Sequence, residues 1–314
     1  MACNTCSCGS TIGNSGAGAC PVWKDVVGLI GVETYAEDGT RNGVDLENDT
    51  INAAFFTAKI NHTDPTKRWY PIAQANGLKS VTQEQPDSVF ETFTDGTKNF
   101  IRKGVVPFSA QITGKSATPK YAGKLDSWRC APNGMSVYGI DRDGNLVGSR
   151  DGDFLYPIQI DTESWEARFV RATAETTSKV AIMFDFAQSE KDSTLDMIAC
   201  ADLDGVDLLS LRGLLDVCAT VTDIETTGFI ATLKTEYGSA LSPILVQGLV
   251  AADFELENQT TSTTITISSV TEADGVYTFV IPAQSAGDVL ILTPTKNGYD
   301  FTCVVDEPIV VPAS

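Results

Sequence analysis

The chain has 314 residues, 42% of them hydrophobic and 20% charged, with a mean hydropathy of −0.01. That size suits about two globular domains, and the composition argues against global disorder. A balance of 22 basic against 41 acidic residues gives a net charge of −19, which disfavours wrapping of duplex DNA or adhesion to an anionic membrane, and the single histidine, His62, excludes metal sites built on two or more histidines.

The first 21 residues form a Cys/Gly-rich tail carrying Cys3, Cys6, Cys8 and Cys20. It lacks the basic and apolar regions of a signal peptide, so assembly in a cytoplasm is expected. No run of ~18 apolar residues exists, so neither a membrane span nor a membrane partner is expected. The spacing Cys-x2-Cys-x-Cys-x11-Cys suits a flexible tail with incidental cysteines or disulfides formed after release into an oxidising medium, with a single structural zinc held by four thiolates as the alternative. The remaining cysteines, Cys130, Cys200, Cys218 and Cys303, read as small buried apolar residues. Of these, Cys218 and Cys303 lie near the two ends of the C-terminal region and could face each other across a sandwich, which sequence alone does not establish.

From residue 22 to 212 the pattern is one of short strands. Residues 25–35 form an apolar, β-branched run. Residues 89–93 and 99–102 flank Asp95-Gly96, a hairpin signal. Residues 105–112 form the next strand. Residues 121–130 carry Leu125 and Trp128 at helical spacing, which predicts one short helix. Residues 135–140 and 146–147 form a second hairpin, and residues 154–160 and 179–186 complete the strand set. Residues 208–218, rich in leucine, read as a further helix weakened by Gly213.

Composition changes near residue 213. Beyond Arg212 only Lys234 and Lys296 are basic, against 13 acidic residues, so residues 213–314 carry more than half of the net charge. Strands are expected at 228–235, 244–250, 263–270, 275–281, 288–295 and 300–305, a spacing that indicates a β-sandwich. Asp274-Gly275-Val276-Tyr277 resembles the tyrosine corner of immunoglobulin-like domains, in which the hydroxyl ties a strand to a loop.

Catalytic signatures are absent from the sequence. No phosphate-binding glycine loop or nucleophile elbow occurs, and His62 lies among turn-forming residues without recognisable partners. The chain is therefore expected not to be an enzyme. Asp141-Arg142-Asp143-Gly144-Asn145 invites a calcium reading, but its glycine is misplaced and the bidentate glutamate is missing, so a hairpin turn is favoured.

One stretch departs from the acidic background. Between residues 98 and 129 lie Lys98, Arg102, Lys103, Lys115, Lys120, Lys124 and Arg129, with Asp126 as the only acid. A basic patch on an otherwise acidic protein is self-complementary, and these residues are expected to mediate contacts between subunits.

Residues 61–71 (NHTDPTKRWYP) and 90–105 (FETFTDGTKNFIRKGV) resemble tail tube (major tail) proteins of long-tailed bacteriophages. The order of elements, a β-rich domain followed by an immunoglobulin-like domain, is similar to theirs. The resemblance implies a mainly β protein: a β-barrel or sandwich tail-tube-like domain at 22–212 with one short helix, then an Ig-like β-sandwich at 213–314. It further implies a virion location in the tail, and homo-hexameric rings stacked into a tube alongside other tail proteins. DNA would pass through the lumen without sequence-specific binding. A capsid or head-decoration protein, or a surface carbohydrate-binding or hydrolytic protein, are the alternatives.

Overall fold

A computed structural model of the protein describes residues 24–72, 77–190, 192–239 and 241–312. The fold is mainly β, and the chain divides into two compact units, residues 1–213 and 214–314.

The first unit is built on an eleven-stranded antiparallel sheet whose main path runs from the strand Val44–Asp45 to the strand Lys79–Thr82. The path ends at those two strands, so the barrel expected from sequence is not closed among the described residues. The strand Met135–Asp141, buried along its whole length, sits in the middle and pairs with Val26–Glu33, Leu146–Asp151 and Ile158–Val170. A helix, Pro119–Asp126, packs on Ile158–Val170. It starts where the Thr118 side chain accepts the Tyr121 N–H and Pro119 occupies the first turn. It buries Ala122 and Leu125, and the Trp165 indole N–H donates to the Leu125 carbonyl at 2.6 Å. Trp128, Trp165 and Phe184 stack in series, with centroids 5.1 and 5.3 Å apart. Trp128 also lies over Gly31 so closely that a Cβ there would fall 2.3 Å from its ring, so glycine is required.

Two sequence expectations for this unit are corrected. Among the described residues the unit holds two α-helices, not one: Ala53–Ile60 forms because Asn52 caps it, accepting the Phe55 N–H at 3.0 Å, while Phe56 and Ile60 turn inward. Residues 208–218 are not a helix. Asp207 caps a single 3-10 turn, Leu208–Ser210, and the strand Leu215–Glu225 begins soon after.

The second unit is a two-sheet sandwich. A six-stranded sheet contains Leu215–Glu225, Gly228–Gly238, Val276–Val280 and Ser269–Ala273. A four-stranded sheet contains Phe254–Asn258 and Val289–Pro294. Alternation places Val217, Phe229, Ala231, Leu233 and Phe279 of one sheet against Phe254, Leu256, Leu290 and Leu292 of the other. Phe254 makes edge contacts with both Tyr277 and Phe279 across the core. Tyr277 is fully buried; its hydroxyl donates to the Val246 carbonyl at 2.9 Å and accepts the Leu249 N–H at 3.3 Å. The strand is thereby fastened to an upstream loop, as the tyrosine motif predicts.

Three strand expectations fail in this unit. Residues 302–305 form a short helix, Thr302–Val305, because Asp300 accepts both the N–H and the hydroxyl of Thr302 and turns the chain. Residues 263–270 split into Thr263–Thr264 and Ser269–Ala273, and of residues 244–250 only Ile244 and Leu245 are in a strand, Pro243–Leu245. Cys218 and Cys303 form a disulfide, with Cα atoms 5.0 Å apart, joining the first strand to this helix. They are therefore not free apolar residues, and Cys130 is exposed.

Candidate docking arm

The strands Val89–Thr92 and Lys98–Arg102 pair only with each other. Local chemistry explains the hairpin. The Phe93 N–H donates to the Thr97 carbonyl and the Gly96 N–H to the Phe93 carbonyl, both at 2.9 Å. Gly96 adopts φ +84°, open to glycine without strain. The Asp95 carboxylate accepts the Thr97 N–H at 2.9 Å and its hydroxyl at 2.6 Å, and these bonds hold the Asp95 pKa below its ordinary value. At the root, Gly104 passes so close to Pro86 that a Cβ would sit 2.6 Å from the Pro86 carbonyl oxygen.

Every strand residue of this arm is exposed. The exposed set includes large apolar groups: Phe90 at 48%, Phe93 at 46%, Phe100 at 56% and Ile101 at 57%. Phe90 and Phe100 lie opposite each other across the strands and touch edge to face, at 5.8 Å. A two-stranded hairpin without cover is marginally stable in water, and exposed apolar clusters of this kind mark interaction surfaces.

A pocket of about 220 Å³ opens at the root of the arm. Val106, Ile158, Phe186 and Leu195 supply apolar lining, and Lys103, Glu190 and Asp192 supply charge. Lys103 pairs with Asp192 across it. The Phe186 N–H donates to the Val106 carbonyl at 3.0 Å, joining the two sides behind the pocket.

The seven predicted contact residues occupy five places. Lys98 and Arg102 lie on the arm, and Lys103 lies at the pocket. Lys115 sits in the 3-10 turn Gly114–Ser116, Lys120 and Lys124 on the helix Pro119–Asp126, and Arg129 in the turn Ser127–Cys130, 3.7 Å from Asp126. Charge alone points to the arm; it does not reveal the exposed aromatics or the pocket. Alternation within the strands would suggest a buried face, so no sequence signal separates this hairpin from a core one.

Other candidates resolve into structure. Asp141 is fully buried, and its carboxylate accepts the N–H groups of Asp143 and Asn145 and the Asn145 side-chain amide, at 2.7 to 2.9 Å. Both oxygens are thus engaged in holding the turn, which is the favoured reading of that loop. His62 accepts the Asp64 N–H through Nδ1, and Asp64 caps the 3-10 turn Pro65–Lys67. Cys3, Cys6, Cys8 and Cys20, the predicted zinc or disulfide set, lie outside the described residues. Among the described residues no group of three or more His, Cys, Asp or Glu side chains is placed to hold a metal, and no helix is long and apolar enough to cross a membrane.

No protein-family model matches the chain, and no curated protein matches it.

Proposed function

We propose that the protein is a non-enzymatic structural subunit of a virion, a tail tube protomer that assembles with copies of itself into stacked rings. The observation that carries this reading is the 89–102 arm, a hairpin paired with no other strand of the described residues and bearing exposed Phe90, Phe93, Phe100 and Ile101. Such a surface is stabilised by a partner, and a self-complementary charge distribution favours another copy. The mainly β fold with two units in sequence fits the resemblance of residues 61–71 and 90–105 to tail tube proteins. A barrel lining a lumen would on this reading be completed between protomers, because the sheet of the first unit is open. The net charge of −19 suits a conduit, since phosphate contacts would retard the DNA moving through it. The Cys218–Cys303 disulfide suits a particle that ends in an oxidising medium.

Negative-stain electron microscopy of purified protein tests the proposal. Rings or tubes whose abundance falls with added salt are expected. A strictly monomeric species at high concentration overturns it, and a flat or curved lattice would point to a shell protein.

A further inference from the structure

We infer that the arm tip of one copy inserts Phe93 into the pocket at the arm root of the next copy. The inference rests on the self-assembly reading above and names the surface that receives the arm.

Four observations support it. The pocket, at about 220 Å³, is smaller than the roughly 300–1,000 Å³ typical of small-molecule sites. It is nonetheless far larger than one water, whose share of liquid volume is about 30 Å³. A single large side chain on an apolar floor of Val106, Ile158, Phe186 and Leu195 suits that size. Second, Phe93 is the aromatic residue next to the turn, exposed at the far end of the arm. Third, an arm cannot fill its own pocket. Lys103 to Val106 come directly after the strand Lys98–Arg102, while Phe93 lies four residues from Val89, roughly 13 Å along an extended strand. The pinched contact of Gly104 with Pro86 further resists folding the arm back. Fourth, charges complement one another: among the described residues the pocket carries the carboxylates of Glu190 and Asp192 and the ammonium of Lys103, and the incoming strand carries Lys98 and Arg102. Knob and pocket are different surfaces of one chain, so the contact is heterologous, and repeating it generates rings or filaments.

The test is complementation between two variants. Phe93→Ala removes the knob and leaves the pocket; Ala187→Trp fills the pocket and leaves the knob. Each alone is expected to raise the concentration needed for assembly by about tenfold or more, as for an interface hot spot. Mixed, they retain one productive contact per pair, knob from the filled variant and pocket from the truncated one. The mixture should therefore form one-to-one dimers that grow no further, measured by analytical ultracentrifugation. Unchanged circular dichroism and melting establish that each variant folds, and Gln188→Trp replaces Ala187→Trp should the latter misfold. Assembly of Phe93→Ala at wild-type concentration, or a mixture that stays monomeric while the wild type assembles, overturns the inference and spares the reading of the chain as a self-assembling subunit. Loss of assembly in the filled variant alone would mean that something other than Phe93 occupies the pocket, which also overturns it. A wild-type protein that never assembles overturns both.

Discussion

Two antiparallel hairpins in this protein share a local grammar and have opposite fates. The strands Leu215–Glu225 and Gly228–Gly238 alternate buried residues with half-buried or exposed ones, and one face closes on a second sheet. The strands Val89–Thr92 and Lys98–Arg102 pair by the same antiparallel register but leave both faces in solvent. Backbone pairing is therefore not what distinguishes a core element from an arm; cover is. The inner hairpin draws stability from burial of Phe229, Ala231 and Leu233, whereas the arm has its turn and one aromatic pair. An element held so lightly is suited to ordering on contact.

The sharpest way to break this comparison is to truncate equivalent aromatics. Phe229→Ala, in the buried face of the inner hairpin, should cost ~3–5 kcal/mol of unfolding free energy. Phe100→Ala, in the arm, should change monomer stability by less than ~0.5 kcal/mol. Urea titration of both variants checks this, and a large loss in the arm variant would mean that the arm is packed in the monomer. Next is the bridge. Replacing Cys218 and Cys303 by serine should destabilise the second unit by on the order of 2–5 kcal/mol, because the cross-link closes a long loop. Scanning calorimetry should show only the melting step of residues 214–314 moving. Tyr277→Phe should cost about 1–3 kcal/mol in the same unit, since the Val246 carbonyl and Leu249 N–H lose their buried partner.

The smallest effect concerns the arm's turn. Hydrogen bonds from Thr97 depress the Asp95 pKa below its ordinary 3.8, so the ionised carboxylate favours the turn. That contribution is complete above 3.8 and disappears as pH falls through the lower folded value. The Thr97 amide resonance should accordingly shift only in strong acid, while Phe229 and Leu233 amides, deep in the sandwich, stay fixed. A Thr97 shift centred above 3.8 would contradict the assigned turn.

Much of the fold is legible in the sequence because it is written locally. Asp95-Gly96 marks the arm, Thr118-Pro119 starts the helix beneath Trp165, and Asp274-Gly275 with Tyr277 marks the corner. The failures lie where a cap outweighs a pattern. Leucines at 208 and 209 suggest a helix, but Asp207 caps only a single turn, and the two-residue alternation that buries Val217 and Ala219 governs the strand Leu215–Glu225. The helix Ala53–Ile60 escapes a reading by apolar spacing, although Asn52 announces it. Of the candidate site, the cations at 98, 102 and 103 are visible as charge. Exposure of Phe90, Phe93 and Phe100 is not, since a strand sequence does not state whether a second layer will cover it.

The Cys218–Cys303 bridge also sets the mechanical character of the second unit. Cys218 lies near the beginning of its first strand and Cys303 in its last helix, 85 residues later in sequence. A pull that enters near Leu214 and leaves beyond Val304 is transmitted through the sulfur–sulfur bond. The strands between the two cysteines lie off the load path. The sandwich then behaves under tension as a short covalent link with little slack to release, and only reduction would let it extend.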